Sequence, residues 1–210
     1  MCDLLTPDDC ASLTARLAPA GASAGSRRLL SEPWCAALAR ALRTHPRMHG
    51  LVPATHAAVQ CTLFEKSADL NWLVPIHQDL SIPVAARVPE PTLRGWSEKQ
   101  GQLFVQAPVG LLEQLVALRL HLDDCAENDG PLRVLPGSHR QGLIDPAAAV
   151  QARRHGGERS CPAPLGAALL IRPLLLHASS KASGRSRRRV LHFVFGPREL
   201  PFGLRWQDAV

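Results

Sequence analysis

From Val59 onward the chain breaks into short runs rich in leucine and valine, bounded by Gly, Pro, Asn or Asp. They are VQCTLFEKS, LVALRLHLDD, PLRVLPGSH, AALLIRPLLLHAS and RRVLHFVFG. Runs of this length and composition read as β-strands. Their spacing is irregular and no helical periodicity alternates with them, which disfavours a parallel βαβ architecture. An antiparallel double sheet of jelly-roll or cupin-like type, a double-stranded β-helix, suits them best. Eighteen prolines and fifteen glycines supply the frequent turns that such a fold needs.

The N-terminal part reads differently. Residues 6–18 predict a helix, with Thr6 as N-cap, Pro7 in the first helical position and Asp8 and Asp9 complementing the dipole. A loop, PAGASAGS, follows. Ser31 then starts a second helix, in which Trp34, Leu38 and Leu42 recur at helical spacing until Pro46 ends it. The expectation is an α+β fold, with these helices packed on one sheet. At 46% hydrophobic residues, a chain of 210 residues can bury one good core. We therefore expect a single domain over 1–210, with a helical part over 1–57 and the β-helix core over 58–200. Residues 84–114 form a long, proline-containing excursion that reads as a functional lid or a disordered segment, and 145–154 hold one short helix.

The N-terminus MCDLLTPDDC has neither a basic region nor an apolar run, so it predicts no secretory signal, and no run approaches the roughly 20 apolar residues of a membrane span. Six scattered cysteines without a CxxC pair point to reduced thiols, a cytoplasmic protein and no cysteine-based zinc site. The net charge of +6 admits an anionic substrate or nucleic acid. Much of it sits in Arg185, Arg187, Arg188 and Arg189, where no aromatic residue is interleaved; three of the four read as a solvated basic face.

The chemistry-bearing residues are spread out. In NWLVPIHQDLSIPV, His77 and Asp79 stand two apart, so in an extended chain both side chains meet one side. His177 ends the apolar run IRPLLLH, and antiparallel sheets bring such distant strands together. Two histidines and one carboxylate leave open positions on a metal, which suits iron(II) chemistry with a co-substrate and dioxygen. Eleven residues after His177 comes Arg188, whose guanidinium is the natural fork for a carboxylate; a zinc hydrolase has no need of it. Alternation puts Arg188, Val190 and His192 on one face, although Arg187 or Arg189 is an alternative inward residue. Along LRLHLDD, Arg119, His121 and Asp123 share a face that could line a site. Lys66 is a further candidate, with a solvated strand end as the alternative. His192 could face the pocket or pack between strands. His139 follows a turn and reads as a surface residue, and GPLRVLPGSHR as a pair of turns.

Taken together, HQD, DDCAENDGPLRVLPGSHR and RPLLLHASS with its following arginine resemble the phytanoyl-CoA dioxygenase family from about Leu63 to Phe195. The resemblance implies an iron(II)- and 2-oxoglutarate-dependent dioxygenase that acts on a small molecule with dioxygen and releases succinate and carbon dioxide. It further implies that Ser179 joins Arg188 at the distal carboxylate of 2-oxoglutarate. Trp96, in the 84–114 excursion, is a candidate pocket wall, with a partly buried loop aromatic as the alternative. The carboxylate at Asp79 favours hydroxylation over halogenation. The alternatives are a catalytically silent β-helix that serves as a binding module, a nucleic-acid-binding protein and a zinc hydrolase. No residue pattern names the substrate or the oligomeric state.

Overall fold

Helix α1 (Pro7–Arg16) begins where its capping residues dictate. The Asp9 N–H donates to the Thr6 hydroxyl at 3.2 Å and the Thr6 N–H donates to the Asp9 carboxylate at 2.9 Å, a reciprocal capping box. The computed structural model describes residues 2–17, 26–184 and 187–210, so residue 18, most of the 19–26 loop and Arg185 lie outside the described residues. Helix α2 (Pro33–Thr44) starts two residues later than the sequence suggests. Ser31 instead closes a 3-10 turn, its hydroxyl donating to the Arg28 carbonyl at 2.7 Å, and Glu32 stands at the N-cap before Pro33. Cys35, Ala39 and Leu42 of α2 are buried, with Trp34 and Leu38 packed beside them.

Three antiparallel sheets form the body. The largest runs in the order β1 (Cys2–Asp3), β10 (Ala167–Ile171), β7 (Val116–His121), β12 (Arg188–Pro197) and β2 (His56–Lys66). The second runs β3 (Val74–His77), β11 (His177–Ser179), β8 (Leu132–Val134) and β9 (Arg159–Cys161). This is the expected α+β double-stranded β-helix, with helices against the outside of the large sheet. Alternation sorts the large sheet's side chains. Leu118, Leu120, Leu191, Phe193 and Phe195 join Cys35, Ala39 and Leu42 in one core, while Arg119, His121, Arg188 and His192 point the other way and are just as buried. Register aligns His192 between Thr62 and Arg119, and sets Arg188 opposite Lys66.

The 84–114 excursion is structured, not an irregular lid. Strands β5 (Ser97–Lys99) and β6 (Gln102–Gln106) form a hairpin, and β6 also pairs with β4 (Ser81–Val84). Gln100 and Gly101 turn it with φ of 53° and 71°, the double positive φ that a tight two-residue hairpin needs. Ile82, Val84, Leu93 and Val105 bury this third sheet beside helix α3 (Val109–Leu112). The sequence reading missed the hairpin because β5 is short and polar and β6 has only three apolar residues between two glutamines. Helix α4 (Pro146–Arg154) lies within the expected 145–154, capped by Asp145, whose carboxylate accepts from the Ala147 N–H at 2.8 Å.

Candidate metal centre

Strands β3 and β11 pair so that His77 and His177 stand directly opposite each other. Their ring centroids are 4.3 Å apart. Just beyond β3, the Asp79 carboxylate reaches both: its oxygens lie 3.6 Å from His77 Nε2 and 3.6 Å from His177 Nε2. One ligand atom from each residue falls within 4.8 Å of the others. Such spacing is long for direct hydrogen bonds and short enough for one divalent ion with bonds of about 2.1 Å.

The backbone orients both imidazoles. His77 Nδ1 lies 2.8 Å from the Pro75 carbonyl and His177 Nδ1 lies 2.8 Å from the Leu175 carbonyl. A carbonyl only accepts, so each Nδ1 carries the proton and each Nε2 lone pair faces Asp79. Between the two ligand candidates, Gln78 points the opposite way. Its amide donates to the Leu174 carbonyl at 2.7 Å and the Gly142 carbonyl at 2.8 Å, and its oxygen accepts from the Ile144 N–H at 2.9 Å. The Asp79 N–H also donates to the Pro173 carbonyl at 2.9 Å, so the whole triplet is anchored from behind. Ser138, in the PGSH turn, braces the other strand by accepting from the Leu176 N–H at 2.9 Å.

The charge state suits a cation. Burial would raise the Asp79 pKa, but His177, His77 and His192 outweigh it and hold the carboxyl well below the usual range. Burial lowers His177 despite Asp79, so this imidazole stays neutral near neutral pH. For His77, burial opposes the charged form and the Asp79 carboxylate overcomes it, leaving a raised pKa. An ionised carboxylate beside available Nε2 lone pairs is the donor set that a divalent transition metal takes.

Beside the triad lies a cavity of about 240 Å³, walled by Arg119, Arg188, Ser179, Phe64 and Trp72 as well as the three candidate ligands. Asp79 is its one lining carboxylate. Arg188 is 2% exposed, and its guanidinium donates to the Gly130 carbonyl while Nε has no partner. Arg119 lies 5.4 Å over the Phe64 ring, with an unpartnered Nε and one contact to His192 at 3.4 Å. Burial and Arg188 lower the Arg119 pKa to about 10. Two buried arginines lining one cavity, each with an unpartnered Nε, fit a dianionic carboxylate ligand.

Lys66 is no solvated strand end. It is fully buried behind the cavity, donating to the Ser179 hydroxyl at 2.7 Å and to the Ser180 carbonyl. Burial, then Arg188 and Arg119, lower its pKa to about 8. Ser179 in turn donates to the Gly130 carbonyl at 2.9 Å, so its hydroxyl is bonded on both sides. Gly130 has φ of 66°, and a Cβ there would stand 2.5 Å from the Ser180 carbonyl oxygen, so only glycine fits.

Other expectations separate. Trp96 walls neither this cavity nor the larger one next to it; it packs against the third sheet under Arg87, 5.0 Å from its ring. His121 is buried with both ring nitrogens unpartnered, and burial with Arg119 and Arg188 lowers its pKa to about 3. His192 walls the larger cavity, and His139 lies away from both. Of the arginine cluster, Arg188 is the inward residue. Arg189 is not solvated but paired with Asp123 at 2.6 Å, and Arg187 pairs with Glu65 at 2.7 Å. Arg27, Phe64, Trp72 and Gln78 escaped the sequence reading. Only Gln78 carried a signal, as the residue that alternation turns away from His77 and Asp79.

Fold and geometry together define a double-stranded β-helix with a candidate two-histidine, one-carboxylate centre beside a basic pocket. Residues 1–190 match the phytanoyl-CoA dioxygenase (PhyH) family, and the chain belongs to it. The chain is 28% identical to the L-proline trans-4-hydroxylase of Streptomyces griseoviridis over 38% of its length, and the match spans 40% of that enzyme. Among solved structures, HygX from Streptomyces hygroscopicus, with nickel and 2-oxoglutarate bound, superposes with a TM-score of 0.62 at 16% identity over 94% of this chain and 81% of that one. EctD from S. alaskensis gives 0.64 at 18% identity over 97% of this chain and 73% of that one. At these identities the structural likeness speaks for the fold. Among the described residues, no helix is long and apolar enough to cross a membrane.

Proposed function

We propose that the chain is an iron(II)- and 2-oxoglutarate-dependent hydroxylase of a small molecule, with His77, Asp79 and His177 as the iron ligands. The observation that carries this reading is the convergence of those three side chains within 4.8 Å at the edge of a cavity that holds buried arginines. Iron(II) with 2-oxoglutarate and dioxygen supplies the oxidation of a C–H bond, releasing succinate and carbon dioxide. The protein's residues do the rest. The Pro75 and Leu175 carbonyls hold the histidine tautomers. Gln78 fixes the strand that presents the ligands. Arg188 takes the distal carboxylate of 2-oxoglutarate, with Ser179 beside it. Lys66 sets the Ser179 hydroxyl from behind, and Arg119 adds positive charge to the same wall. Phe64, Trp72 and Leu132 keep the pocket poor in water. Trp96 has no part in it.

We also propose that residues 1–210 act as one domain in the cytoplasm. The pairing of β1 with β10 and the burial of α2 on the large sheet tie the helical part to the core.

The test is to load the protein with iron(II) and measure bound iron, and succinate formed from 2-oxoglutarate in air in the presence of a library of small metabolites. Wild type is expected to bind one equivalent and to turn over 2-oxoglutarate, and Asp79→Ala to lose most of both. Unchanged iron content in Asp79→Ala, or no succinate from loaded wild type, would break the proposal; the second outcome is that of a silent binding module.

A further inference from the structure

A second cavity, of about 380 Å³, shares Arg27, Phe64, His77 and Asp79 with the first and continues along the third sheet. Its volume is at the small end of ligand pockets, about 300–1,000 Å³. The walls divide by chemistry. Ile82, Phe104, Leu112, Leu115, Val194 and Trp206 are apolar, and two cations, Arg27 and Lys99, also face the space. Asp79 is again the one lining carboxylate among the described residues, and it belongs to the candidate metal centre.

A main-chain bond of Arg27 brings the two residues to one cavity. The Arg27 N–H donates to the Gln100 side-chain oxygen at 2.9 Å, tying the segment before α2 to the hairpin turn next to Lys99. The Lys99 ammonium lies 4.9 Å from the Phe104 ring centre, along the cavity wall. Neither side chain makes an ion pair with a described residue. Burial and the neighbouring Arg27 lower the Lys99 pKa, so the two charges feel each other across this cavity. Two half-buried like charges lining one cavity favour an anionic ligand between them.

We infer that this cavity binds a small organic carboxylate as the substrate, its carboxylate held by Lys99 and Arg27 and its hydrocarbon body packed against Ile82, Phe104 and Trp206. The inference rests on the hydroxylase reading for the reaction, but not for the binding. Two single positive charges match one carboxylate. The apolar walls hold the C–H bonds, and His77 and Asp79 lie in the same cavity, so the body of the acid meets the candidate metal. Gln106 also lines the space, its side chain propped by Gly95; a Cβ on Gly95 would stand 2.5 Å from it. Gln60 donates to the Thr62 hydroxyl at 3.0 Å along another wall, giving polar groups that can sort one acid from another.

The test uses matched pairs: small alicyclic and aliphatic acids and their amides, among them cyclohexanecarboxylate and L-proline. Binding is read as a thermal shift with iron(II) and saturating 2-oxoglutarate under nitrogen, and turnover as succinate formed in air. Acids are expected to half-saturate at concentrations about tenfold lower than their amides, a difference of about 1.4 kcal/mol. Lys99→Gln and, separately, Arg27→Gln should bring acid and amide together. Equal binding of acids and amides by wild type, indifference to every acid, or a preference that survives both substitutions would overturn the inference. Acids that shift the melting temperature without any succinate would keep the carboxylate pocket and remove the hydroxylase reading.

Discussion

The two faces of strand β7 are equally buried and chemically opposite. Leu118 and Leu120 face the helices, whereas Arg119 and His121 face the second sheet; Leu120 is 0% exposed and His121 is 1%. On the outer face every group is satisfied by packing. On the inner face Arg119 Nε, Arg188 Nε and both His121 nitrogens have no partner. Depth of burial therefore does not separate core from site. Partnership does, because an unmet polar group is costly unless something else is meant to meet it.

The comparison can be broken from either face. The largest effect is expected from Arg188→Ala, which empties the inner face of its fork. Loss of one partner from a buried ion pair costs about 3–5 kcal/mol, so 2-oxoglutarate affinity should fall at least about 100-fold. Iron binding should persist, because no candidate ligand is touched; equilibrium dialysis with iron and 2-oxoglutarate reads both. Near-normal affinity would move the carboxylate elsewhere.

Next comes the outer face. Leu120→Ala should lower unfolding free energy by about 3–4 kcal/mol, as large-to-small changes in a tight core do, with turnover per folded molecule preserved. Denaturant titration beside succinate kinetics at low temperature checks this. A selective loss of turnover with unchanged stability would show that the faces are not separable.

The smallest effect is at the next residue. His121→Leu removes two unpartnered nitrogens and should stabilise the fold at neutral pH by about 1 kcal/mol. The sign with pH follows from its folded pKa of about 3 against the ordinary 6.5. Between those values the unfolded chain holds the extra proton, so stability falls as pH falls from about 6.5 toward 3. His192, also lowered to about 3 by burial and Arg119, adds to the same limb. Titrations at several pH values should show a shallower acid limb in His121→Leu, and an identical limb would exclude His121 as a contributor.

The sequence was most readable where alternation had long strands to act on. The pattern of RRVLHFVFG puts Arg188 and His192 on one face, and LRLHLDD does the same for Arg119 and His121, because period-two alternation needs no knowledge of partners. The triad was legible as residue types, while its closeness depended on β3 pairing with β11, which no local signal encodes. The third sheet was not legible: Ser97–Lys99 has no apolar residue and Gln102–Gln106 only three, too few to mark a strand, and their hydrogen bonds to each other and to β4 make the sheet. Trp96 looked like a pocket wall because it sat in that unread stretch. Arg27 and Lys99 lie 72 positions apart and are linked through the bond from the Arg27 main-chain N–H to Gln100, beside Lys99 in the hairpin turn.

The Gly130 carbonyl accepts from both Arg188 and Ser179. If Arg188 receives the co-substrate as proposed, the carboxylate competes for Nη1 with a backbone oxygen that this nitrogen already bonds. What the site then measures is the difference between a charged acceptor and a neutral amide one. A ketone, ester or amide in place of that carboxylate offers nothing the peptide lacks, and is refused without any clash. Discrimination against neutral analogues would thus depend on a main-chain carbonyl at Gly130 as well as on the Arg188 side chain that it shares with the ligand.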